Sequence, residues 1–165
     1  MPIHLNYYQI APKAIAAQLG LEQYLSSADV SPSISKTLLE LIKIRVSQIN
    51  QCAYCIDMHT KDARANGESE QRIFGLSAWE SAPFYTEEER ATLAWCEAIT
   101  KVAPHEDCHA LLNTMRNFFD DKTIVDLCIA ICSINNWNRI TLAFGADVGS
   151  YQVGQFEQHS SSVST

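Results

Sequence analysis

Residues 38–67 read LLELIKIRVSQINQCAYCIDMHTKDARANG. The first half repeats apolar side chains at the spacing of an amphipathic helix, and the second half predicts another helix from about Cys52 to Asn66. Gly67 supplies a stop for that helix, because glycine readily adopts the left-handed backbone that ends many helices. The stretch therefore predicts two consecutive helices with a short break after Asn50.

The rest of the chain carries the same kind of pattern, with no alternating strand and no hairpin signal. Pro32 and its flanking serines predict the start of the helix before the break. Thr86 and Glu89 form a capping box, and Pro104 predicts the end of the helix that follows. The predicted helical segments are 12–25, 34–50, 52–66, 69–81, 86–103, 107–119 and 121–147.

These segments predict an all-α protein, a compact single-domain bundle of about six to seven helices. We expect the domain to span residues 1–155, with a core at about 33–145, followed by a polar tail at 156–165. A chain of 165 residues is long enough to bury a core without disulfide bonds.

The net charge is −7, from 12 basic and 19 acidic residues, and no basic stripe is present. Such a surface repels phosphate backbones, so we expect no nucleic-acid partner. No apolar run approaches the roughly 18 residues of a membrane span, and the N-terminus lacks the pattern of a signal peptide. We therefore expect a cytoplasmic protein that does not enter a membrane.

Six cysteines in such a protein do not indicate a disulfide framework. Four of them are expected to be small buried hydrophobes, as free cysteines usually are. These four are Cys96, Cys108, Cys128 and Cys132.

The other two cysteines share a helix face with a histidine. At about 100° per residue, Cys52, Cys55 and His59 fall within roughly 60° of one another on a helical wheel. Cys52 also lies where a helix begins, and the partial positive charge of a helix N-terminus stabilises a thiolate. A histidine on the same face can accept or return a proton, so the pattern favours a redox-active dithiol.

Two alternatives remain open at this point. A structural zinc site usually has four protein ligands, and His105 and His109 could complete the set with the two cysteines and His59. The cysteines could also be two inert buried thiols. A thioredoxin-like site is not indicated, because no βαβ pattern surrounds the pair.

The segment ELIKIRVSQINQCAYCIDMH, residues 40–59, resembles the alkylhydroperoxidase D core of the carboxymuconolactone decarboxylase-like superfamily. The signature of that family is a Glu, eleven residues, and then Cys-x-x-Cys-x-x-x-His, which Glu40, Cys52, Cys55 and His59 match. The segment INNWNRITLAF, residues 134–144, is also similar to a stretch in single-core members of the family. The resemblance implies an all-helical fold, a homo-trimer or homo-hexamer, and peroxidase activity.

The resemblance also implies roles for these residues. Cys55 would attack a hydroperoxide and become a sulfenic acid, and Cys52 would resolve it by closing a Cys52–Cys55 disulfide. His59 and Glu40 would relay protons, and an external thiol reductant, in parts of the family a lipoylated adaptor protein, would reopen the disulfide. No cofactor and no metal is implied. Members that act as carboxymuconolactone decarboxylases generally lack the cysteine pair, so that activity is an alternative that the dithiol disfavours.

Three further positions carry expectations. On the helical wheel Glu40 falls opposite the apolar stripe, which predicts a solvated side chain paired with Lys36 or Lys43, whereas the family resemblance implies that another helix covers this face. Tyr54 stands where several family members have His, and it can donate a hydrogen bond but cannot take up a proton near neutral pH. The polar cluster at 135–139 is expected to serve structural hydrogen bonding.

Overall fold

The computed structural model describes residues 5–27, 29–30 and 32–156, and the polar tail predicted at 156–165 lies almost entirely outside them. All regular elements in these residues are helical, so the predicted all-α class is confirmed. They are eight α-helices and one short 3₁₀ helix: α1 (Tyr7–Ile10), α2 (Pro12–Leu25), α3 (Lys36–Ile49), α4 (Ala53–Ala65), α5 (Glu70–Gly75), the 3₁₀ helix (Leu76–Ala78), α6 (Glu87–Lys101), α7 (His105–Met115) and α8 (Asp121–Phe144).

The helix count exceeds the predicted six to seven because of α1, which the sequence pattern did not reveal. This helix has four residues, too few for a periodic apolar pattern. Asn6 caps it by accepting a hydrogen bond from the backbone N–H of Gln9, and Pro12 begins α2 almost at once. Local capping, and not amphipathicity, therefore forms α1.

The predicted start of α3 was wrong by a few residues. Ser35 is the N-cap, since its hydroxyl accepts a hydrogen bond from the N–H of Leu38 at 3.0 Å, and Lys36 is the first helical residue. Pro32 therefore precedes the helix and does not occupy its first turn. The side-chain hydrogen bond of Ser35 therefore marks the start of the helix.

The boundary between α6 and α7 also differs from the prediction. The capping box of Thr86 and Glu89 is confirmed, but α6 ends at Lys101, where Val102 takes a left-handed backbone with φ of 53°. Pro104 does not terminate α6; it is the N-cap of α7. Proline suits that position because the missing N–H would have no partner inside the helix.

Helix α3 lies at the centre of the fold and packs against α4, α6 and α8. Leu38, Ile42 and Val46 face one apolar cluster that includes α8, while Leu41 and Ile44 face a second cluster with α5 and α6. A helix that is apolar on two sides needs neighbours on both. This central placement explains why even polar side chains of α3 are shielded from water.

The free cysteines do not all behave as predicted. Cys96 is buried, Cys108 and Cys128 are half-buried, and Cys132 is exposed, so the expectation of burial was wrong for Cys132. The helical wheel gives the reason, since Cys132 lies on the outer face of α8 next to Asn136.

None of the helices in the described part of the chain combines the length and hydropathy that a membrane span needs.

Candidate functional site

A tight turn between α3 and α4 sets the position of the cysteine pair. The N–H of Cys52 donates to the carbonyl of Ser47 at 3.0 Å, and the N–H of Gln51 donates to the carbonyl of Gln48 at 3.2 Å. Gln51 has a left-handed backbone with φ of 57°. This is the Schellman arrangement that ends many helices, and here it makes Cys52 the N-cap of α4.

Helix α8 holds this turn in place through two buried asparagines. The side-chain amide of Asn50 donates to the Oδ1 atoms of Asn135 and Asn138, at 2.9 and 3.0 Å. Asn138 in turn donates to the hydroxyl of Ser47 at 3.1 Å. The polar cluster therefore serves structural hydrogen bonding, as the sequence predicted, and what it fixes is the break before the cysteines.

Cys52 and Cys55 are joined by a disulfide, with their Cα atoms 5.4 Å apart. Both are almost fully buried, with 1% and 4% of their surfaces exposed, and both contribute to the apolar cluster with Leu38, Ile42 and Ile131. Cys55 is the third residue of α4. Reduction of this disulfide would therefore place thiols in the first turn of a helix, where the positive end of the helix dipole favours a thiolate.

His59 lies one turn after Cys55 on the same buried face of α4. Its Nδ1 atom is 3.0 Å from Oε2 of Glu40, which belongs to α3. Both residues are buried, with 6% of His59 and 8% of Glu40 exposed. The helical-wheel prediction of a solvated Glu40 is wrong because α4 covers this side of α3, as the family resemblance implied. Glu40 does pair with Lys43 at 3.6 Å, as the wheel-based prediction included.

The charge of Glu40 is preserved in this buried position. Burial on its own raises the pKa of the Glu40 carboxyl, but the hydrogen bond to His59 and the charges of His59 and Lys43 outweigh burial, so the pKa is lowered. Glu40 is thus a carboxylate at neutral pH. A carboxylate beside an imidazole fixes the orientation of the ring.

Tyr54, between the two cysteines, is half-buried and packs against the apolar cluster around them. Burial and the neighbouring charges of Tyr7, Asp57, Asp147 and Asp62 raise the pKa of its phenol. The phenol therefore keeps its proton at neutral pH and can act only as a hydrogen-bond donor or acceptor.

A further carboxylate, Asp62, completes the surroundings of the Glu40–His59 pair, and the sequence argument did not identify it. Side-chain atoms of Glu40, His59 and Asp62 that could bind a metal lie within 4.8 Å of one another. These groups are of the type that binds a divalent cation, but the ammonium of Lys43 already supplies a positive charge 3.6 Å from Glu40. The available signal was the i, i+3 spacing of His59 and Asp62, which places them on one face of α4.

Comparison with known proteins identifies the family of this chain. The model of the carboxymuconolactone decarboxylase family matches residues 16–98. The chain belongs to this family. The uncharacterized protein YdfG of Bacillus subtilis is 45% identical over 145 residues, which is 88% of this chain and 96% of that protein.

Among solved structures, this chain is similar in fold to proteins named after alkylhydroperoxidase D. The crystal structure of ATU0492 from Agrobacterium tumefaciens, a protein of unknown function whose proposed role is that of the antioxidant defence protein AhpD, has a TM-score of 0.82 and 39% identity. The alignment covers 91% of this chain and 100% of the ATU0492 chain. The alkylhydroperoxidase AhpD core protein of Ralstonia eutropha JMP134 has a TM-score of 0.75 at 21% identity, covering 87% of this chain and 74% of that one. At that identity the likeness shows the fold alone.

The zinc alternative finds no support in the arrangement of ligands. His105 and His109 lie in α7 with their rings 6.0 Å apart and stacked. Among the described residues, the one set of three or more His, Cys, Asp or Glu side chains close enough to share an ion is Glu40, His59 and Asp62. That set contains neither cysteine, so the two cysteines and the His105–His109 pair do not form one site.

Proposed function

We propose that this protein is a thiol peroxidase that reduces hydroperoxides through Cys52 and Cys55. The observation that carries the proposal is the position of the Cys52–Cys55 disulfide one helical turn from the buried His59–Glu40 pair. An apolar cluster surrounds the sulfur atoms, and a proton-carrying pair adjoins them. The antioxidant defence role proposed for ATU0492, which is 39% identical to this chain, adds support.

In the first chemical step Cys55 is the attacking thiol, because it is the cysteine that lies one helical turn from His59. Its proton passes to His59, and the thiolate attacks one oxygen of the hydroperoxide, which breaks the O–O bond. Sulfur is oxidised to a sulfenic acid, and the leaving alkoxide takes a proton from His59 to become an alcohol. Glu40 balances the charge of the imidazolium during this transfer.

The second step closes the bond seen in the structure. The thiol of Cys52 attacks the sulfenic sulfur of Cys55, the S–S bond forms, and the hydroxyl leaves with one proton as water. An external dithiol then reduces the disulfide and is itself oxidised to a disulfide, which restores both thiols. A lipoylated adaptor protein, as the family resemblance implies, is the reductant class that we propose.

Tyr54 is proposed as an accessory residue. Its phenol keeps its proton, and it can donate a hydrogen bond to a thiolate or to the hydroperoxide without exchanging a proton. We further propose that the protein acts in the cytoplasm as a single domain over residues 1–155. The assembly that we propose is the homo-trimer or homo-hexamer implied by the resemblance.

A turnover assay tests the proposal. Fully reduced protein is mixed with cumene hydroperoxide or hydrogen peroxide and with dihydrolipoamide as a small dithiol reductant, and hydroperoxide loss is followed. The wild-type protein and the matched control Cys132→Ser, which alters an exposed cysteine outside the site, should turn over at equal rates. Cys55→Ser should reduce consumption to the background rate, whereas full activity in Cys55→Ser would overturn the proposal.

A further inference from the structure

The segment that follows α8 is fastened to α4 at two consecutive residues. The ammonium of Lys61 donates to the carbonyl oxygens of Gly149 and Tyr151, at 3.4 and 3.1 Å. The phenol of Tyr151 donates to Oδ1 of Asp62 at 2.7 Å. Tyr151 is buried, with 3% of its surface exposed. The C-terminal segment thus fixes the carboxylate of Asp62 through a side chain that has little freedom to move.

Asp62 faces the proposed proton relay from the side that water reaches. Its carboxylate lies within 4.8 Å of side-chain atoms of both Glu40 and His59, a gap that one bridging water can span. Glu40 and His59 are buried, whereas Asp62 is only half-buried. Of the three acid–base groups, Asp62 is therefore the one best placed to exchange a proton with solvent.

The charges around Asp62 suit that exchange. Burial and the negative charge of Glu40 raise the pKa of the Asp62 carboxyl. The hydrogen bond from Tyr151 and the charges of His59 and Lys43 lower it by less, so the pKa is raised overall. Asp62 therefore takes up a proton more readily than an ordinary aspartate. The groups that face it are Glu40 and Lys43 from α3, Tyr54 and His59 from α4, and Tyr151 from the C-terminal segment.

We propose that Asp62 is the solvent-side proton carrier of the relay and that Tyr151 is the residue that positions it. This inference rests on the proposed peroxidase function. When Cys55 ionises, its proton passes to His59, and Asp62 allows the proton on His59 to exchange with water. The alkoxide then takes a proton from the protonated His59, so one proton enters and one leaves the relay in each cycle. The C-terminal segment thereby becomes part of the catalytic apparatus, although it contributes no residue that touches the sulfur atoms.

The first test needs no hydroperoxide. The oxidised protein, with its disulfide closed, is titrated by NMR, and the His59 ring-proton signal is assigned as the one missing from His59→Gln. Removal of the negative charge in Asp62→Asn should move the midpoint of this titration to lower pH, because a nearby negative charge favours the protonated ring. Tyr151→Phe should move it in the same direction by less, because Asp62 is then no longer held beside His59. The matched control Asp121→Asn, an exposed charge outside the site, should leave the midpoint unchanged.

The second test measures the rate of thiol oxidation by hydroperoxide as a function of pH. Asp62→Asn should slow oxidation about tenfold and shift the pH profile, and Tyr151→Phe should show an intermediate loss with the same shift. If Asp62→Asn does not fold, Tyr151→Phe decides alone. Unchanged titrations in both variants, or an equal shift in Asp121→Asn, would overturn the inference. A wild-type protein that consumes no hydroperoxide but shows the titration shifts would remove the peroxidase function and leave the Asp62–His59 coupling intact.

Discussion

Nδ1 of His59 lies 3.0 Å from Oε2 of Glu40, so a hydrogen bond joins α4 to α3 inside the protein. The two residues are 19 positions apart in the chain, and the Schellman turn between the helices brings them together. Because both residues are shielded from water, salt screens their interaction little. The chemistry that we propose depends on this contact.

Replacement of Glu40 by glutamine tests the contribution of its charge. Gln keeps the shape and an acceptor for His59 but removes the negative charge, and we expect thiol oxidation by hydroperoxide to slow by about 10²-fold. Stopped-flow measurement of tyrosine and tryptophan fluorescence during oxidation gives the rate. Glu87→Gln, an exposed substitution in α6, is the control and should match the wild type. Equal rates in Glu40→Gln and Glu87→Gln would remove Glu40 from the relay.

The buried asparagine of α8 should matter for stability. Asn138→Ala leaves Asn50 without one acceptor and Ser47 without its donor, and both lie at the turn before the cysteines. We expect the free energy of unfolding to fall by about 1–3 kcal/mol, since buried polar groups lose partners. Urea denaturation followed by circular dichroism measures this loss. The exposed Asn117→Ala should change stability by less than about 0.5 kcal/mol, and a similar small change in Asn138→Ala would show that the turn does not need α8.

The left-handed residue before Cys52 offers a stabilising substitution. Gln51 has φ of 57° and Gly67, at the end of α4, has φ of 91°. A left-handed backbone costs a residue with a Cβ atom roughly 1 kcal/mol relative to glycine. Gln51→Gly should therefore raise the free energy of unfolding by about 0.5–1 kcal/mol, and Gly67→Ala should lower it by about 1 kcal/mol. Thermal unfolding of both variants checks the pair, and changes of the same sign would contradict the assignment.

Acid stability should depend on Glu97, which links α6 to neighbouring elements. Burial raises the pKa of its carboxyl, but hydrogen bonds from Lys101, Trp79 and Arg45 outweigh burial and hold the pKa at about 2. A depressed pKa stabilises the folded state above the ordinary value of 4.5, and this contribution disappears as pH falls from 4.5 to about 2.

In Glu97→Gln, the pH dependence of unfolding between pH 4.5 and 2 should therefore be weaker than in the wild type. At pH 7 the variant should lose about 1–2 kcal/mol, because Arg45 and Lys101 lose their charged partner. Urea midpoints measured across this pH range test the expectation. The exposed Glu106→Gln is the control, and an identical slope in Glu97→Gln and wild type would refute the role assigned to Glu97.

Helix caps, helix ends and shared helix faces that depend on a few neighbouring residues were predictable from the sequence. The capping box at Thr86, the helix stop at Gly67 and the bounds of α2 all follow from a few neighbouring residues, and the structure confirms them. The placement of Cys52, Cys55 and His59 on one face of a helix likewise follows from their spacing. Such features need no knowledge of what packs against the helix.

Features that depend on tertiary packing were not predictable. A helical wheel for α3 assigns Glu40 to the polar side, and only the neighbouring α4 turns that side into an interior. The bond between Tyr151 and Asp62 joins residues 89 positions apart, and no local pattern signals it. The family resemblance implied that another helix covers Glu40, and the structure shows this cover, because a family signature reflects packing that one helix alone does not display.

The most direct test of the central claim counts thiols in fully reduced protein before and after one equivalent of hydroperoxide, with peptide mapping of the bridge. We predict the loss of two thiols per chain and a Cys52–Cys55 bridge. In Cys52→Ser we predict a sulfenic acid trapped on Cys55. An unchanged thiol count would contradict the proposed chemistry, and a sulfenic acid trapped on Cys52 in Cys55→Ser, with none on Cys55 in Cys52→Ser, would contradict the assigned roles.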